Sequence, residues 1–241
     1  MRQAVRIGVV CEGETDRVAI EWFVRMSLVI RGFDEIAVCR IASYTDQTSR
    51  DTQGFTGVLA WLSQSPEQRQ RFFVDLFGGD VRTEKFDAIV VHLDADNLST
   101  KEFRNHVHSK YGKDVKNHRI PEKRGFEIRQ LIMSVGKMGK LGDGYAVAVA
   151  VESTETWCLS SFRELRDDPE SMSGATLVQQ FMDALHAVER RPTEVFRKAN
   201  KDPIRWERFC RRTYENVEVL ERQCFHYKKL VTDLVRELNS R

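Results

Sequence analysis

Two apolar runs in this chain stop abruptly at groups of acids, and that pattern restricts the fold more than any other feature. Ile7-Gly8-Val9-Val10-Cys11 leads into Glu12-Gly13-Glu14-Thr15-Asp16, and Ala88-Ile89-Val90-Val91-His92-Leu93 leads into Asp94-Ala95-Asp96. Short Val- and Ile-rich runs of this kind read as buried strands. A third run, Tyr145 to Val151, is built from Ala and Val, and Phe33 to Ile41 is a further strand candidate. In an open α/β sheet the strand ends are the edge at which sites are built. Carboxylates gathered there repel one another unless a hard cation lies between them, and oxygen-rich clusters suit Mg²⁺ or Mn²⁺.

Helical spacing fills the segments between the strands. Val18, Ala19, Trp22, Phe23, Met26 and Val29-Ile30 recur on one face until Gly32, with Thr15 placed to cap the helix and Asp16 in its first turn. Ser43 to Gln53 is polar and aperiodic, whereas Phe55 to Phe77 is helical, with a break near Ser65-Pro66 and a stop at Gly78-Gly79. Ser99 and Glu102 have capping-box spacing, which predicts a helix starting near Ser99. Residues 112–123 read as an exposed basic loop ending at Pro121, followed by a helix over 126–138 and a Gly-rich turn, Gly139 to Gly144. Helices are then expected over 153–166, 174–189 and 193–199, and from Pro203 onward with Asp202 as N-cap. The order predicts an α/β fold: a mainly parallel sheet flanked by helices over 1–160, and a helical C-terminal region over 161–241.

An apolar fraction of 41% suffices for a core, and no run approaches the ~18 apolar residues of a membrane span. The N-terminus has no secretory pattern. Five cysteines, an odd number without a C-x-x-C pair, argue against a disulfide framework and a zinc knuckle. The expected setting is a reducing cytoplasm, with no membrane association. The net charge of +2 hides a segregation: −4 over residues 1–100, +7 over 101–140, −6 over 141–185 and +5 over 186–241. Acidic segments hold the candidate ligands, and basic segments are suited either to a polyanion or simply to solvent.

Glu12 and Asp16 lie four residues apart across a strand-to-helix turn, where Gly13 would permit tight geometry and both carboxylates could face one cavity. Asp94 and Asp96 alternate about Ala95 and reach one cation if the chain turns directly after the strand. Each motif alone also fits an ordinary structural role. Together, strand–Glu-Gly-x-Thr-Asp–helix and strand–Asp-x-Asp resemble the Toprim domain, a Rossmann-like fold shared by topoisomerases, bacterial primases, small RNA maturases and the overcoming-lysogenization-defect nucleases. The resemblance implies that Glu12 acts as general acid/base or metal ligand, that Asp94 and Asp96 hold divalent metal, and that Asp16 is the additional acid of the nuclease branch. Glu152-Ser153-Thr154-Glu155-Thr156-Trp157-Cys158-Leu159 looks like the E-x-W-x-L signature of small standalone Toprim-like proteins, which often accompany an ATPase in prokaryotic antiphage defence. Glu155 and Trp157 match best, and Glu152 ends its strand as Glu12 does. The resemblance covers roughly 5–160 and requires an insertion near 43–80.

On that likeness the expected activity is metal-dependent cleavage of DNA or RNA. One ion would be held by Glu12 and Asp16 with Asp94 near both, and a second by Asp96 with Glu152 or Glu155, about 4 Å apart. Lys137 and Lys140 are candidates for the lysine such nucleases add. His92 reads as a core or edge histidine, and residues 101–140 as a sequence-blind backbone grip. A second reading is a non-catalytic or latent regulatory subunit docked on an ATPase through Trp206, Phe209, Tyr214, Phe225 and Tyr227; homo-oligomers fit either reading. A sugar-nucleotide site at the D-x-D ranks last, because the Glu12–Asp16 motif has no task in it.

Overall fold

Four runs of apolar residues form a four-stranded parallel sheet in the order β2-β1-β3-β4. The strands are β1 (Val5–Val10), β2 (Ile36–Arg40), β3 (Ala88–Asp94) and β4 (Tyr145–Ala150). The computed structural model describes residues 4–41, 54–73, 85–138, 143–172, 174–189 and 202–240. The expectations for Ser43 to Gln53, for Gly78-Gly79, for Lys140 and for a helix over 193–199 lie outside the described residues.

Alternation along each strand sorts the side chains between two cores. Val5, Ile7 and Val9, with Ala88 and Val90 and with Ala146, Ala148 and Ala150, face one side. Val10, Ile89, Val91, Leu93, Val147 and Val149 face the other. The first side is covered by α1 (Glu14–Val29), α6 (Thr154–Phe162), α7 (Gly174–Glu189), α8 (Pro203–Thr213), α9 (Val217–Gln223) and α10 (Phe225–Asn239). The second is covered by α2 (Gly54–Leu62), α4 (Lys101–Tyr111) and α5 (Pro121–Val135), with the short α3 (Pro66–Gln70) beside them. Burial on both faces is why the strands read as continuous apolar runs.

The C-terminal helices therefore share one core with the sheet. α10 lies along β4, and the three alanines of that strand let its backbone approach. Glu237, near the end of α10, accepts the Gly144 amide at the start of β4 (3.0 Å). The two elements thus run in opposite directions, and the N-terminus of α10 reaches the end of β4. At the outer edge of the sheet, Arg129 of α5 donates to the Val147 carbonyl (3.3 Å) and pairs with Asp233 of α10. One guanidinium so joins the two helix layers across the edge strand.

Several boundaries move for local reasons. α1 is capped by Gly13 rather than Thr15, because the Asp16 carboxylate already accepts the Gly13 amide (2.9 Å). Gly13 itself is extended (φ −142°), a conformation open to any residue, so its glycine is not demanded by the turn. Thr100, not Ser99, caps α4 by accepting the Phe103 amide (3.3 Å). α5 begins at Pro121, because proline at the first helical position has no orphan amide to satisfy, and the expected loop ends there. The stretch after Pro203 is three α-helices and a short 3-10 turn rather than one helix, and Asp202 does cap the first, accepting the Ile204 amide (3.0 Å).

Replacing Ala148 by Leu should destabilise the fold by about 1–3 kcal/mol, because the added volume meets a close-packed helix layer. A lowered urea midpoint with an unchanged slope is the expected result.

Candidate metal centre

The strand order places a topological switch point between β1 and β3: the chain leaves β1 for β2 on one side and returns to β3 on the other. Crevices outside the strand ends at such points are where α/β sheets bind ligands. Glu12 lies two residues past β1, and Asp94 is the last residue of β3. Asp16, in the first turn of α1, enters from the face that carries α6.

Asp16, His92 and Asp94 are buried, and one ligand atom from each lies within 4.8 Å of the others. His92 and Asp94 are two residues apart on β3 and so share a face. Their Nε2 and Oδ1 atoms are 3.3 Å apart. Asp16 is held from both ends: its Oδ2 accepts the Gly13 amide (2.9 Å), and its Oδ1 accepts the Thr154 hydroxyl from the start of α6 (2.8 Å). Trp157 stands edge-on behind the His92 ring with centroids 5.6 Å apart, and Tyr227 backs Trp157 at 5.2 Å. An aromatic wall therefore fixes the imidazole from the side of the helical region.

Glu12 stands beside this triangle. Its Oε1 accepts the Asp94 backbone amide (2.8 Å) and the Asn97 side-chain amide (2.7 Å). Burial first, then the charge of Asp94, pushes the Glu12 carboxyl up to about 8. The Asp94 amide and His92 pull the other way, and Asp16 adds to the rise. Without a cation this cluster therefore keeps a proton at neutral pH. Cys11, at the end of β1, is pushed up to about 12, chiefly by burial and then by Asp16, so its thiol is no thiolate nucleophile.

The acids expected at a second ion are not brought to that triangle. Asp96 is exposed on the 3-10 helix Ala95–Ser99, because the chain turns only after Asp94 is buried. Glu152 pairs with Arg124 of α5. Glu155 is buried in the first turn of α6, where its charge adds to the rise at Cys158. Lys137 ends at the opposite edge of the sheet: Arg69 donates to the carbonyl of the neighbouring Gly136 and lies over Tyr145, the first residue of β4. Of the five aromatic anchors suggested for a partner, Trp206, Phe209 and Tyr227 are core and Tyr214 packs on Trp22, while Phe225 is exposed.

His92, Asn97 and Thr154 complete the site, and only His92 carried a signal, being two residues before Asp94 on an otherwise apolar strand. The other two are recognisable only once the elements are assembled. Comparison with protein families, curated proteins and solved structures finds no match to this chain. What stands is the class of architecture, a Rossmann-like α/β sheet with acids at its switch point.

Two carboxyls, Glu12 and Glu170, are raised from 4.5 to about 8, in both cases mainly by burial. Between those values the folded chain holds more protons than the unfolded one, so stability falls as pH rises. His226, lowered by burial from 6.5 to about 4, acts in the opposite sense below pH 6.5. Metal-free protein should therefore lose thermal stability between pH 6.5 and 8, and Glu12→Gln should flatten part of that loss in melts across the range.

Proposed function

We propose that the chain is a divalent-metal-dependent nuclease that hydrolyses phosphodiesters in DNA or RNA. The observation in its favour is the meeting of Glu12, Asp16, His92 and Asp94, from three separate elements, at the switch point of the sheet. The donor set fits the ion: two carboxylates suit Mg²⁺ or Mn²⁺, and the His92 imidazole moves the preference toward Mn²⁺. Asp16 retains accepting capacity on both oxygens beyond its hydrogen bonds to Gly13 and Thr154. A bound cation supplies charge neutralisation and polarises a phosphoryl oxygen.

The residues of the chain supply the rest. Glu12 holds its proton on Oε2, since Oε1 already accepts two N–H groups. A carboxyl poised at about 8 can give a proton to a leaving oxygen near neutral pH, and as carboxylate it can take one from water. Positive charge brought close lowers that value, so occupancy of the centre and the protonation of Glu12 are linked. The segment from Lys101 to Arg124 begins directly after the Asp94 turn and carries eight Lys and Arg against three Asp and Glu. It would hold the sugar-phosphate backbone without reading bases, giving a steep loss of affinity with salt.

Labelled single- and double-stranded DNA and RNA should be cut in Mn²⁺ or Mg²⁺ and left intact in EDTA. Glu12→Gln should slow cleavage by roughly 10²–10⁴-fold, and Asp94→Asn should abolish it. Equal cleavage by wild type and both variants would remove the assignment.

A further inference from the structure

Glu152 is a residue whose backbone and side chain make conflicting demands. Its φ is +68°, a left-handed conformation that glycine adopts freely and a glutamate does not. Strain of this kind persists where the surroundings impose it, and it collects at functional sites. Three contacts define those surroundings. The Glu152 carbonyl accepts the Asp96 amide (3.2 Å), which joins the end of β4 to the turn that follows Asp94. The Glu152 carboxylate pairs with Arg124, both side chains being mostly buried at 14% and 13% exposure. α5, which carries Arg124, packs against the Ala95–Ser99 turn.

Arg124 also follows a series of exposed cations, Lys101, Lys110, Lys113, Lys116, Arg119 and Lys123. Unlike them it is held inside, and its Nε is buried with no hydrogen-bond partner among the described residues. A guanidinium has five donors in a planar fork that accepts a carboxylate or a phosphate in the same geometry.

We infer that Arg124 grips a nucleic-acid phosphodiester beside the metal centre, and that Glu152 is a built-in competitor displaced by the incoming phosphate. The assignment rests on the nucleic-acid reading of the same site and deepens it. In the free chain the carboxylate keeps a mostly buried cation paired; on binding, a phosphate takes that place. The exposed cations then set the overall salt dependence, and Arg124 sets where along the backbone the chain sits.

The test is fluorescence anisotropy of labelled single-stranded DNA, its duplex, and the matching RNA strand, all in EDTA. Glu152→Gln should tighten binding and Arg124→Gln should weaken it, each by about tenfold. Arg124→Gln should also flatten the salt slope by about one. The double variant should bind like Arg124→Gln alone, because Glu152 acts only through Arg124. Arg124→Lys, which keeps the charge, should fall between and serves if Arg124→Gln fails to fold. Weakening by both single variants, no change in either, or tightening by Glu152→Gln in the Arg124→Gln background overturns the assignment, as does a wild-type chain that binds none of the three probes. Metal and cleavage play no part in this measurement, so a missing nuclease activity and a wrong role for Arg124 give different results.

Discussion

The acceptance of the Asp94 amide by the Glu12 side-chain carbonyl oxygen is the contact on which the centre depends. β1 and β3 pair in register only as far as Val10 opposite Val91. Beyond that point the chain turns into α1 on one side and continues to Asp94 on the other. A side-chain oxygen takes over where the backbone ladder stops (2.8 Å), and Asn97 donates to the same atom (2.7 Å). The crevice between two diverging strands is thereby held to a fixed width. That width is what allows Asp16, His92 and Asp94 to come within a single ion's reach. That hydrogen bond is partly buried, and a buried amide left without its acceptor is costly.

Opposed charges are arranged by depth at this edge. The acids of the triangle sit inside, backed by Trp157 and Tyr227, where burial keeps a proton on Glu12. Arg124 and Glu152 occupy an intermediate layer and neutralise one another. The lysines of α4 and the segment after it lie outermost, in solvent. A polyanion approaching from outside meets positive charge first, whereas a cation finds negative charge only within the crevice. The segregation seen along the sequence becomes a layering in space.

Much of this was legible in the residues. The strands at 88–93 and 145–151 announced themselves because burial on both faces forces nearly uninterrupted apolar runs. The helix over 174–189 was recognisable from its spacing, and the acids at two strand ends from their abrupt change of character. The missed features share one cause, which is that they depend on partners distant in the chain. Asp96 looked equivalent to Asp94, and only the position of the 3-10 turn leaves one exposed and the other buried. Glu152 looked like another Glu12, but Arg124, twenty-eight residues earlier, takes its carboxylate. Lys137 falls at the wrong end because α5 runs back along the sheet, a direction that local pattern does not encode. His92 passed as core because its strand is core, although its ring lies on the face of Asp94.

The clasp of Arg129 on Val147 and Asp233 has a consequence for assembly. An open parallel sheet ends in strands whose outer peptide groups invite another chain to add on, the usual origin of swapped dimers and fibrils. At β4 the guanidinium fills one of those acceptor positions and ties together the helices that shoulder the strand from above and below. An extended segment arriving there would have to break a buried ion pair to reach the Val147 carbonyl. Sheet extension is thus discouraged on the β4 side, and two copies that joined by strand pairing would have to meet through β2.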